Sequence, residues 1–117
     1  MTAPTEPETS VRYEGTAVAT ELWGMTQANF SVRIPGRRAK EVGVMLNDPA
    51  ARFLATELGQ EDTREFRVAA SRHAGAYLLE KLLRAGLYID GSVDLSERTL
   101  AAHPDILEHL KRTRKQP

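Results

Sequence analysis

The apolar residues of this chain change their spacing once, at Asn47-Asp48-Pro49. Before that point they recur at every second position; after it they recur at every third or fourth. The first spacing puts side chains on alternate faces of a strand, the second on one side of a helix. Asp48 followed by Pro49 marks the change as a helix start. A carboxylate caps the free N–H groups there, and proline at the first helical position loses no hydrogen bond. The chain is therefore read as a β half joined to a helical half. At 117 residues it has the size of one domain.

In the β half, residues 10–22 are rich in Val, Thr and Ala and read as a strand bent at Gly15. "WGMT" follows as a turn. Phe30, Val32 and Ile34 then alternate with Asn29, Ser31 and Arg33 until Pro35, which has no donor for a ladder. Val42, Val44 and Leu46 repeat the period over 41–46. A helix over 37–46 is the rival there, and Gly43 argues against it. The expected fold is α+β: a three-stranded antiparallel sheet packed by one long helix and two or three shorter ones. Phe30, Val32, Ile34, Val42, Val44 and Leu46 should face the core.

The helical half carries clear stops. Phe53, Leu54 and Leu58 form a first stripe, ended by Gly59. Asp62 with Glu65 resembles a capping box and starts a helix that should run to about Arg84, before Gly86. Phe66, Ala69, Ala70, His73, Tyr77 and Leu78 make its apolar face. "LYIDGSVDLSE" reads as a connector with a turn at Asp90-Gly91. Asp94 or Ser96 caps a short helix to about Ala102, and Pro104 opens another through Ile106, Leu107 and Leu110. Residues 1–9 are expected to be a disordered leader, 10–112 the domain, and 113–117 a frayed basic tail.

Composition narrows the chemistry. There is no cysteine, which removes disulfides, thiolate metal sites and cysteine nucleophiles. No apolar run reaches the ~20 residues that span a bilayer. "MTAPTEPETS" has acids and prolines where a signal peptide needs a basic patch and an apolar core, so the expected location is cytoplasmic. Sixteen basic and sixteen acidic residues cancel. A non-specific nucleic-acid binder is usually basic overall. The charge is nonetheless clustered, with Arg33, Arg37, Arg38 and Lys40 close together.

No motif of catalysis stands out. Asp105 and His109 lie four apart on an expected helix, but zinc needs three or four ligands. They are expected to be a solvated pair, and His73 a partly buried histidine on an apolar face. Ser31, Ser71, Ser92 and Ser96 lack a nucleophile elbow, and no phosphate loop or dinucleotide fingerprint is present. The reading is of a protein that is not an enzyme, with no cofactor and no metal.

Two short stretches resemble DNA-binding families. "SVRIP" looks like the strand of ribbon–helix–helix repressors, whose polar side chains enter the major groove. That resemblance implies Asn29, Ser31 and Arg33 as base readers, chemically suited to adenine, either base and guanine. The family continues directly into an amphipathic helix, whereas here Gly36 and Gly43 intervene. Ile34-Pro35 with Val42-Gly43-Val44 is similar to the signature of swapped-hairpin transition-state regulators. It implies phosphate contacts from Arg37, Arg38 and Lys40. Arg38 departs from that family, which has an apolar residue three after the proline.

The leading expectation is a small non-catalytic interaction protein, a regulator, adaptor or inhibitor, that binds a protein partner. Arg33, Arg37, Arg38, Lys40 and Trp23 are its expected contacts, tryptophan being enriched among interface hot spots. A DNA-binding regulator using strand 29–34 and loop 36–40 is second, and an enzyme or enzyme subunit third. Leu79, Leu82 and Leu83 widen the apolar face of the long helix and are the expected site of self-association into a homo-oligomer.

Overall fold

Residues 10–19, 25–86 and 91–115 are described by the computed structural model, and its sheet gives way to helices at Asn47, where the spacing changes. Residues 1–9, expected as a leader, together with Trp23, Asp90 and residues 116–117 of the tail, lie outside the described residues. Three strands come first: β1 (Ser10–Ala19), β2 (Met25–Arg33) and β3 (Lys40–Asn47). Helices α1 (Asp48–Leu58) and α2 (Arg64–Arg84) follow, then β4 (Ser92–Leu95), α3 (Glu97–Ala102) and α4 (Asp105–Lys115). Residues 40–47 are strand, not helix. No described helix is long and apolar enough to cross a membrane.

The α+β class is as expected, but the sheet is larger. Its order is β1-β2-β3-β4, with the first three antiparallel and β4 parallel to β3. The expected three-stranded antiparallel sheet is thus corrected to a mixed sheet of four strands. Ser92–Leu95 reads as connector in the sequence because only Val93 and Leu95 mark its period. A parallel neighbour must also be reached by a crossover, here α1 and α2, so no hairpin turn announces it. In β1 the register slips between Tyr13 and Gly15, and Gly15 takes φ 136°, the bend expected there.

The two helix starts differ from expectation by one residue, in opposite directions. Asn47, not Asp48, caps α1, its side-chain oxygen accepting from Ala50 N–H at 2.9 Å. Thr63, not Asp62, caps α2, accepting from Phe66 N–H at 3.0 Å. Both displaced carboxylates go to one cation, Arg67. Gly59 ends α1 in the left-handed conformation, and Ser96 caps α3.

Helix α2 lies across β1, β2 and β3, α1 against β3, α3 against β4, and α4 packs on α1 and α2. Phe30, Val42, Val44, Leu46, Leu54, Leu78 and Leu95 are fully buried between these layers. At Gly75 the helix comes very close to the sheet: a Cβ there would stand 2.9 Å from Phe30 Cε1. Phe53 is corrected from the core to the surface, being 39% exposed. Helix α1 buries Ala50, Leu54 and Leu58 with Ala51 and Ala55, and Phe53 falls beside that stripe. The opposite sheet face carries Arg12, Asn29, Ser31, Arg33 and Glu41 toward solvent.

Thr26 is fully buried on the core face of β2, and among the described residues its hydroxyl has no hydrogen-bond partner. A buried polar group left without a partner costs its desolvation, so an isosteric apolar replacement recovers it. Thr26→Val is expected to stabilise the protein by about 1 kcal/mol. Urea unfolding should show a higher midpoint with an unchanged slope.

Candidate functional site

The turn between β2 and β3 is built by Ile34-Pro35-Gly36-Arg37. Arg37 N–H donates to Ile34 O at 3.0 Å, and Gly36 has φ 81°. Proline presets the first central residue, and glycine alone tolerates the positive φ of the second. The turn lifts Arg37 and Arg38 into solvent, and Lys40 returns the chain to the sheet opposite Val32.

Below this turn the sheet runs past the end of its covering helix. Helix α2 stops at Arg84, and Gly86 takes φ 76°. Beside Leu83 the described residues form a pocket of about 210 Å³. Val32, Ile34, Val42 and Leu83 form its apolar floor, and Arg37, Arg38 and Lys40 its rim. A hollow of about 360 Å³ adjoins it across Leu83, lined also by Ser10, Val11, Glu80 and Arg84. Among the described residues Arg37 and Arg38 make no ion pair, whereas Arg12, Arg67, Lys81 and Lys111 do.

The residues singled out by sequence are partly gathered and partly separated. Arg37, Arg38 and Lys40 converge, and Leu83, expected at a self-association surface, joins them. Arg33 does not join them. Its parity in β2 puts it on the other sheet face, with Asn29 and Ser31. There Asn29 Oδ1 accepts from Gln27 Nε2 at 2.7 Å. Leu79 is fully buried and has no surface to offer a second copy, while Leu82 is half-buried against the core.

A polar cluster that no local pattern announced ties α2 to α4. Asp105 accepts from Lys81 Nζ at 2.9 Å and from Tyr77 Oη at 2.7 Å. Lys81 Nζ also meets His103 Nδ1 at 3.0 Å, and His109 stacks on Tyr77 with ring centroids 4.5 Å apart. Asp105 is therefore engaged across the helix pair and is not the solvated i,i+4 partner of His109 that was expected. The Tyr77 phenol is pushed up by the same hydrogen bond to Asp105. Among the described residues no three His, Cys, Asp or Glu side chains group as a metal site.

The hydrogen bond from Lys81, then that from Tyr77, holds the Asp105 carboxyl at about 2. Its folded value lies below its unfolded one, so its contribution is present above about pH 4 and is lost as pH falls toward 2. Wild-type melting temperature should drop through that window. Asp105→Asn should start lower at pH 7 and drop less; parallel pH curves would rule the contribution out. The effect is modest, because the side chain is partly open to water.

Comparison with protein-family models, with curated proteins and with solved structures finds no match to this chain.

Proposed function

We propose that the protein is a non-catalytic interaction protein, a regulator, adaptor or inhibitor, that binds an acidic segment of a protein partner at the hairpin end of its sheet. The observation that carries this reading is the meeting of Arg37, Arg38 and Lys40 with an apolar floor at Leu83. Guanidinium groups grip carboxylates through paired, directional hydrogen bonds. An apolar side chain of the partner would sit on Ile34 and Leu83, which keep surface, and the exposed Arg37 and Arg38 would steer its acids inward. Among the described residues the lining of this pocket holds no carboxylate, histidine or hydroxyl to act as base or nucleophile, which supports binding over catalysis.

DNA binding is the second reading, and the basic hairpin speaks for it. Strand β2 speaks against it, because it is hydrogen-bonded on both sides. A four-stranded sheet is about 14 Å between its outer strands. That exceeds the ~12 Å width of the major groove, so Asn29, Ser31 and Arg33 would not reach base edges as a ribbon does.

The test is capture from the native host by wild-type protein and by the Arg37→Glu/Arg38→Glu variant. A protein retained by the wild type, released by salt and lost to the variant is the expected result. Both arginines are exposed, so the variant should keep the wild-type melting temperature. Equal capture by both proteins would reject the hairpin site. Salt-sensitive binding of duplex DNA that the same variant loses would favour the second reading.

A further inference from the structure

We infer that a groove near the other end of α2 is a second binding site, of opposite sign, that takes a basic amphipathic segment of a protein partner. It lies where α2, α4 and the turn after α1 meet, and its volume is about 530 Å³. Leu58, Phe66, Ala70 and Leu110 form its floor. These residues are buried but keep 4–8% of their surface, whereas Leu54, Ala74 and Ile106 behind them keep none. A small part of the apolar floor can therefore be reached from outside. Ala69 was expected on the buried face of the long helix; it is exposed and forms part of the groove wall.

Among the described residues that line the groove, the carboxylates are Glu61 and Glu65, and there is no lysine or arginine. Both acids are exposed and make no ion pair among the described residues, while Asp62 between them is held by Arg67. His73 adds no positive charge at neutral pH. Burial, then the charges of Arg72 and His109, keep its imidazole below its ordinary value. An apolar floor under an acidic rim fits a helix that offers apolar residues at i, i+3 and i+4 and lysine or arginine beside them. An acidic segment would meet repulsion, so sign selects the partner.

Phe66 and Leu83 are about 25 Å apart along α2, at 1.5 Å per residue. The groove and the hairpin pocket can therefore be occupied together, by partners of opposite charge. Joined to the proposed function, this makes the protein an adaptor, but the groove stands on its own observations.

The probe is a short synthetic amphipathic helix of leucine and lysine, with a leucine–glutamate helix as its counterpart. Amide shifts of the full chain are followed as each is added. The lysine helix is expected to move resonances of residues 58–73 and 110–113, and the glutamate helix to leave them in place. Ala69→Trp, which fills the groove from an exposed position, and Glu61→Gln/Glu65→Gln should each weaken binding roughly tenfold or more. Arg37→Glu/Arg38→Glu should bind the lysine helix as the wild type does, so the two sites succeed or fail separately. Equal binding of both helices, shifts centred elsewhere, or no effect of Ala69→Trp would overturn the inference. So would movement of the same resonances on simple dilution, which would assign the groove to a second copy of this chain.

Discussion

Replacing Gly75 with leucine is expected to lower stability by about 3 kcal/mol or more, enough to abolish a cooperative melt in a marginal domain. Gly75 lies in the middle of α2, where glycine normally costs a helix about 1 kcal/mol relative to alanine. It is tolerated because the helix rests directly on the sheet. A Cβ at this position would meet Phe30 Cε1 at 2.9 Å, Phe30 Cζ at 3.1 Å and Val44 Cβ at 3.3 Å. Phe30 and Val44 are fully buried and cannot swing aside. A leucine would have to lift α2, and with it the contacts that close the core over β1, β2 and β3.

Gly75→Ala should cost less, because the gain in helix propensity offsets part of the clash. Phe30→Leu removes the ring atoms nearest to Gly75 and leaves a cavity, so alone it destabilises. Placed on the Gly75→Ala background it should destabilise less than expected from the sum. The coupling, read from urea unfolding of the four proteins, is expected to exceed about 0.5 kcal/mol in the favourable direction. Strict additivity would show that this contact does not set the height of the helix.

Arg67→Ala is expected to cost about 2–4 kcal/mol, a loss of roughly 10 °C or more in melting temperature. Its side chain is 13% exposed. Nε and Nη2 donate to the two oxygens of Asp62, each at 2.8 Å, and Nη1 donates to Asp48. This fork-to-fork geometry is the strong form of the pair. Removing the cation leaves two carboxylates facing each other at the starts of α1 and α2. The loss should stay at the lower end of the range for buried pairs, because both acids keep some contact with water and lie at helix N-termini, which favour negative charge. Arg67→Lys should fall between, since an ammonium cannot bridge both oxygens of Asp62 in plane.

The same residue predicts an acid effect. The hydrogen bond from Arg67 lowers the Asp62 carboxyl below its ordinary value, against the opposing effect of its burial. That stabilisation is present above the unfolded value near pH 4 and is lost as pH falls through the folded one. The Arg67→Ala protein should lack this part of the acid slope. A cost below about 1 kcal/mol, with an unchanged slope, would place Arg67 among surface ion pairs.

Much of this could be read from local pattern. The alternation around Phe30 and Val42, the glycine stop at Gly59, the extent of α2 and the turn at Pro35-Gly36 are set by neighbours in sequence. The caps show the limit of such reading. Asn47 and Asp48, like Asp62 and Thr63, are adjacent residues that can both cap a helix. The choice falls to Asn47 and Thr63 while the two acids sit on Arg67, which lies nineteen and five residues away.

The candidate site divides in the same way. The basic run at Arg37, Arg38 and Lys40 was plain in the sequence, and the parity of β2 already set Arg33 apart on the other face. That Leu83 would floor the same pocket depended on where α2 ends over the sheet. The acidic groove needed Leu58, Phe66 and Leu110 brought together from three helices.

The sequence by itself determined the kind and order of the first three strands and the four helices, and most of their apolar faces. Those properties rest on backbone dihedrals, capping and side-chain period, which act over a few residues. Only the tertiary structure decided the fourth strand, the partners of Arg67 and which residues meet at the two proposed sites. Each of these joins residues from separate elements, and such contacts form only when packing the core offsets the entropy of closing the chain between them.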